Sequence, residues 1–194
     1  MTIPAWLAAI VLFLQLPIPL YWFVVHPLVR FWRRYPRAVY AVGLACSWLP
    51  VTGAIVAFRK VLFRPDWPSP AALATGTALI ILEVWIFWRV HHDLGTARLV
   101  GKTELSGAGE IQRRGIYARI RHPRYTASFL AILGACLLAG TRTMWITAVA
   151  WLVLMGTVLV LEEREMRARF GAAYVSYCRE VPRFLPRGAN SRTE

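Results

Sequence analysis

Apolar residues fall into five runs, about 3–28, 39–63, 71–90, 124–140 and 143–162, separated by polar or Pro-rich breaks. A helix needs about 20 mostly apolar residues to cross a bilayer, so each run predicts a transmembrane helix. Pro17 and Pro19 sit inside the first run and predict a kink, because each removes a backbone donor. Pro50 and Gly53 interrupt the second run, while Tyr35-Pro36 and the set Pro65, Pro68 and Pro70 mark helix boundaries in the connections. Only Gly140-Thr141-Arg142-Thr143 joins the last two runs, which predicts an antiparallel helical hairpin. Beyond Leu161 the pattern passes into a charged helix, Glu162 to about Tyr177, and then into Val181–Pro186, whose two prolines predict an extended strap on the membrane interface.

The predicted fold is all-α: a polytopic membrane bundle of five transmembrane helices with a long cytoplasmic loop and a C-terminal helix. Residues 1–91 form a three-helix transmembrane region, and 92–194 supply the loop, the hairpin and the tail, the two parts making one membrane domain.

Composition supports insertion. At 57% hydrophobic residues and nine Trp in 194, the chain is too apolar for a soluble domain of this size. The first run lacks a basic leading segment and is too long for a signal-peptide core, so it is expected to be retained. A net charge of +13 would suggest nucleic acid in a soluble chain. Here the basic residues cluster between apolar runs, and no zinc finger or RNA-binding aromatic box accompanies them. Cys46, Cys136 and Cys178 are too scattered for a disulfide framework or a metal site.

The placement of the 23 basic residues sets the orientation. Four follow the first run (Arg30, Arg33, Arg34, Arg37), eight lie between Arg89 and Arg124, and seven between Arg164 and Arg192. These nineteen share one side, against Arg59, Lys60, Arg64 and Arg142 on the other. The positive-inside rule puts the N-terminus outside and the C-terminus in the cytoplasm.

That topology brings two unusual stretches to one face, Gly115–Tyr125 before the fourth run and Leu161–Glu163 after the fifth. The hairpin should set residues 122–125 beside residue 162. Arg and Tyr at such a junction also serve as plain interface anchors. The Gly-rich segment His91–Arg121 is long for a structureless connection, which predicts a loop that wraps a ligand, with a flexible linker as the alternative. His91-His92-Asp93 lacks further ligands at metal-binding spacing, and no Gly-x-Gly-x-x-Gly or Walker lysine is present. In the charged helix, Glu163 is spaced to pair with Arg167 and Glu165 with Arg169. Glu162 shares its stripe with Met166, Phe170 and Tyr177, leaving it without a local cation. An acid at membrane depth calls for a cationic partner, a ligand group or a bridge to Arg121 or Arg119.

Gly115-Ile116-Tyr117, Arg121-His122-Pro123-Arg124-Tyr125, Glu162-Glu163, Phe170-Gly171, Tyr174, Tyr177 and Val181–Pro186 together resemble the isoprenylcysteine carboxyl methyltransferase family of integral membrane enzymes. Phospholipid N-methyltransferases share much of this signature, which covers roughly residues 100–187. The resemblance implies S-adenosylmethionine as methyl donor, bound at the cytoplasmic mouth of the last two helices, and a lipid-like or prenylated acceptor entering from the bilayer. By position, the cofactor contacts would be Lys102, Gly109, Glu110, Ile111, Gln112, Tyr117, His122, Pro123, Arg124, Tyr125 and Glu162. Ala127 replaces a usual Gly, Met166 a usual Leu, and Val158 stands where eukaryotic prenylcysteine enzymes carry an Arg.

The residue chemistry agrees. Glu162 suits the donor's ammonium, Arg, His and loop N–H groups suit its carboxylate, and Tyr117 and Tyr125 offer ring faces to adenine or sulfonium. Transfer to an ionised carboxylate needs no general base, only alignment and exclusion of water. An amine acceptor must first lose a proton, for which His122 and Glu163 are the candidate bases. The expected activity is methylation of a prenylated cysteine carboxylate. Phospholipid N-methylation, an NADPH-dependent reductase of the sterol type and a scaffold without catalytic activity are the alternatives.

Overall fold

The computed structural model describes residues 1–95 and 110–186, and within these the chain is helical and without strands. The first apolar run forms α1 (Ile3–Gln15) and α2 (Pro17–Val25). Thr2 caps α1 by accepting the Ala5 N–H, and the two helices meet at Leu16, where Pro17 supplies no donor to continue the ladder. A single turn, α3 (Val29–Trp32), leads to α4 (Pro36–Leu62), which runs through Pro50 without ending there. Ser69 caps α5 (Pro70–Leu94) by accepting the Ala72 N–H, and Gly95 closes it. A 3₁₀ turn at Gly115–Ala118 precedes α6 (Pro123–Ala139) and α7 (Arg142–Phe170), and α8 (Ala172–Glu180) completes the helices.

The fold differs from the expectation in two places. Four helical segments are long and apolar enough to cross a bilayer: Ile3–Val25, Ala38–Leu62, Pro70–Leu94 and Arg142–Phe170. The fourth of the five expected spans, α6, has only 17 residues, short of the roughly 20 a bilayer demands. It is enclosed by its neighbours: Ala131, Ala135, Cys136 and Ala139 are all fully or almost fully buried. The charged helix expected over 162–177 is also two pieces. α7 carries the last span straight on to Phe170, and Gly171, at φ 52°, breaks the chain before α8. A side chain is strongly disfavoured in that conformation, so glycine sets the corner.

Small residues let α5 and α6 approach closely, since a Cβ on Gly134 would lie 2.7 Å from the Gly76 carbonyl oxygen. Ala5, Ala8 and Leu12 of α1 share one core with α6 residues and with Met144 and Trp151 of α7. The Trp151 indole donates to the Gln15 carbonyl at 2.9 Å. The faces of α4 and α5 are largely open, with Leu49, Ile81 and Trp85 more than half exposed, as suits helices facing lipid. The turn between α6 and α7 meets the end of α4, where Thr141 donates its hydroxyl to the Leu62 carbonyl. The opposite end of the bundle gathers the ends of α2, α5 and α7 with the start of α6 and all of α8.

Candidate functional site

That end holds a cleft of about 1070 Å³, counting its open mouth. Ile18, Trp22 and His26 line it from α2, and Leu94 from the end of α5. Glu110, Ile111, Gln112 and Tyr117 come from the segment before α6, followed by Arg121 to Tyr125 at the α6 start. α7 adds Met155, Glu162, Met166, Arg169 and Phe170, and α8 adds Tyr174 and Tyr177.

Short hydrogen bonds fix the 110–118 wall. Asp93 accepts the Ile116 N–H at 2.7 Å through its carboxylate, and its own carbonyl accepts from the Gln112 amide at 2.7 Å. Gly115, at φ 62°, is needed there, because a Cβ would fall on the Asp93 carboxylate. Asp93, conspicuous in sequence beside two histidines, therefore acts as a clamp. Tyr177 donates to the Tyr117 carbonyl at 2.7 Å, and the Arg113 guanidinium sits over the Tyr177 ring at 5.5 Å while donating to the Ala173 carbonyl. Burial pushes the Tyr177 phenol up to about 12 and raises Tyr117 and Tyr174 further. All three thus stay neutral donors at physiological pH.

The C-terminal strap completes the α6 start by backbone pairing: Arg121 N–H donates to the Pro182 carbonyl at 2.8 Å and His122 N–H to the Arg183 carbonyl at 2.9 Å. Behind this wall lies Glu163, which is buried. It accepts from Arg121 at 3.1 Å, from His122 Nε2 at 3.1 Å, and from Arg183 at 3.0 and 2.7 Å. The carboxylate in turn raises the pKa of the Arg183 guanidinium above its ordinary value. Arg121 Nη1 also reaches the Cys178 sulfur at 2.8 Å.

The sequence expectation for the acids needs correction here. Glu163 does meet Arg167, at 3.5 Å, but that is the long arm of a buried hub, and the bridge to Arg121 belongs to Glu163 and not to Glu162. Of the two candidate bases, His122 lines the cleft and Glu163 does not, its oxygens being taken up by the guanidinium and imidazole groups behind the wall. Glu165 pairs with His26 at 2.7 Å, a partner from the other end of the chain. Glu162 faces the cleft and accepts the Tyr125 hydroxyl.

Glu110, Ile111, Gln112, Tyr117, His122, Pro123, Arg124, Tyr125 and Glu162, all expected as cofactor contacts, line this one cleft. Lys102 and Gly109 lie outside the described residues. Sequence reasoning missed the α2 contribution. Trp22 stacks on His26 with centroids 5.0 Å apart, and Arg124 lies over Trp22 at 5.6 Å. A histidine closing an apolar run was the available signal. A second cleft shares Ile18, Trp22 and Arg124 and is otherwise lined by Tyr21, Tyr40, Leu44 and Trp48 of α2 and α4.

Membrane-length helices surrounding a mixed-charge cleft at one end of the bundle define an integral membrane protein. The chain belongs to the phospholipid methyltransferase family, whose profile matches residues 71–173. It is also similar to methanethiol S-methyltransferase 2 of Bradyrhizobium diazoefficiens, at 29% identity over 176 residues, 81% of this chain and 64% of that protein. The chain thus aligns with just under two thirds of the length of this curated relative. No solved structure matches.

Proposed function

We propose that the protein is an integral membrane methyltransferase that uses S-adenosylmethionine and acts on a lipid-like acceptor. The observation that carries this reading is the convergence of Glu110–Gln112, His122–Tyr125 and Glu162, from three separated stretches, on a single cleft. S-Adenosylmethionine, when bound, supplies an electrophilic methyl group. The residues present fit its chemistry. Glu162 can pair with the ammonium, and Arg121, Arg124 or His122 with the carboxylate. Tyr117 and Tyr125 present ring faces to adenine or to the sulfonium.

The cleft between α2 and α4 supports a route for that acceptor from the bilayer, since it shares a wall with the cleft that gathers Glu162 and His122. The excess of basic residues at this end of the bundle supports a cytoplasmic site and an outside N-terminus. The carboxylate of a prenylated cysteine remains the acceptor favoured by the sequence resemblance. Val158 favours a second reading, a phospholipid amine or a thiol of the kind named in the relative: where the prenylcysteine enzymes carry an Arg, this chain has a fully buried aliphatic side chain packed with Tyr21, Trp22 and Val25.

Calorimetry on protein in lipid nanodiscs, titrated with S-adenosylhomocysteine and separately with NADPH, tests the reading. Binding of S-adenosylhomocysteine alone is expected, and binding of NADPH alone overturns the assignment. Glu162→Ala should weaken S-adenosylhomocysteine about tenfold or more, because a hydrogen bond to a charged group contributes roughly 1.5–3 kcal/mol. Labelled methyl transfer to farnesylcysteine, phosphatidylethanolamine and an alkanethiol then separates the acceptor classes.

A further inference from the structure

Resting on the methyltransferase reading, we propose that His26, held by Glu165, is the proton acceptor of the reaction, and that the acceptor is one whose nucleophilic atom carries a proton. The side chain of His26 is 95% buried, lines the donor cleft and stacks on Trp22. Its Nδ1 lies 2.7 Å from Glu165 Oε2. A carboxylate can only accept, so Nδ1 carries a hydrogen, and in the neutral imidazole the lone pair is then on Nε2. Among the described residues, Nε2 has no hydrogen-bond partner. A carboxylate that fixes the tautomer and then faces the imidazolium is the arrangement general-base histidines require.

His122 also abuts a carboxylate, but the two pairs differ in their surroundings. Glu163 is shared between His122 and the guanidiniums of Arg121, Arg183 and Arg167. A proton added to His122 would join that positive cluster. Among the described residues, Glu165 pairs with His26 alone, and its second oxygen, Oε1, is buried without a hydrogen-bond partner. A positive charge on His26 thus meets a carboxylate that no arginine neutralises. The other charged groups sharing the cleft are Glu110, Glu162, Arg121, Arg124 and Arg169, together with the tyrosine hydroxyls of its wall. A merely structural latch between α2 and α7 would not need a free ring nitrogen in the cleft.

The step balances as follows. The acceptor's S–H or N–H proton passes to His26 Nε2, giving an imidazolium opposite Glu165. The freed electron pair forms the bond to the donor's methyl carbon, and the pair of the broken carbon–sulfonium bond stays on sulfur as a neutral thioether. An amine enters as its ammonium and gives up that proton first. An ionised carboxylate has no proton to give, and this dyad would be idle with it.

Three measurements test the proposal on the full chain in nanodiscs. Nitrogen NMR of labelled histidine should find His26 protonated at Nδ1 and bare at Nε2, and should find that tautomer lost in Glu165→Gln; the opposite tautomer overturns the proposal without any turnover being measured. Methyl transfer from labelled S-adenosylmethionine to octanethiol and to phosphatidylethanolamine should fall about 10²–10⁴-fold in His26→Ala, the range general bases contribute. Added imidazole should restore part of that loss, and S-adenosylhomocysteine binding should weaken far less than transfer does. Unchanged transfer, a loss imidazole cannot restore, or wild-type label appearing on farnesylcysteine alone overturns the dyad. Absence of S-adenosylhomocysteine binding in the wild type overturns the methyltransferase reading itself, a distinct result.

Discussion

Glu163→Ala removes the hub behind the site wall, and its cost can be worked out arm by arm. Two arms come from side chains almost as buried as the carboxylate, Arg121 at 9% and His122 at 5% exposure. Two more come from Arg183 and Arg167, each about half exposed. Exposed pairs contribute at most about 1 kcal/mol, so the second two count little. The buried arms are charge-assisted, at roughly 1.5–3 kcal/mol each, and they are not additive. Alanine also leaves the Arg121 guanidinium enclosed without its counter-ion, and breaking a buried pair costs roughly 3–5 kcal/mol. A loss of about 4 kcal/mol is therefore expected, with Glu163→Gln intermediate because it keeps the volume and one acceptor. Equilibrium unfolding in mixed micelles, followed by fluorescence of the nine Trp, measures it. A double-mutant cycle with Arg183→Ala should return about 1 kcal/mol of coupling, the value of an exposed pair. A loss below about 1 kcal/mol for Glu163→Ala would show that the hub behaves as a surface ion pair, refuting the account of the wall.

Gly134→Val should destabilise the bundle by about 1–3 kcal/mol, since the added carbons meet the Gly76 carbonyl and Ile80 in a packed seam; a neutral result in thermal unfolding would mean that α5 and α6 do not touch there. Gly115→Ala should displace the Asp93 clamp and weaken S-adenosylhomocysteine binding more than global stability, which calorimetry and unfolding on one preparation would separate. Alkaline pH should unfold the protein by a defined route. In the unfolded chain tyrosines ionise near about 10, whereas burial holds Tyr177 at about 12. The unfolded state therefore releases protons first, and stability present below about pH 10 is lost as pH rises toward the folded value. The part of the tyrosinate absorbance that Tyr177→Phe removes should rise together with unfolding, and its rise well before unfolding would contradict the burial.

The positions of the helices were legible because lipid imposes a simple demand, about 20 apolar residues for each crossing. Four of the five runs meet it, while α6 reads as apolar for a different reason. Ala131, Ala135 and Ala139 are enclosed by protein, and hydropathy alone does not distinguish protein from lipid as the apolar neighbour. The cleft was legible at Tyr117, His122, Tyr125 and Glu162 because the Gly140–Thr143 turn dictates which residues meet across the hairpin. It was not legible at Trp22 and His26, whose place depends on how α2 packs against α7, more than a hundred residues away. The acids were sorted by spacing along one helix, which finds Arg167 for Glu163 but is blind to Arg183, brought in by the strap.

The backbone pairing of residues 121 and 122 with 182 and 183 separates residence in the bilayer from competence. A chain cut after Glu180 would still carry every helix long and apolar enough to cross the membrane among the described residues. It would lack the two carbonyls that seat the start of α6 and the guanidinium that clasps Glu163. Recovery from a membrane fraction is therefore no measure of an intact site in truncated or frameshifted forms of this protein.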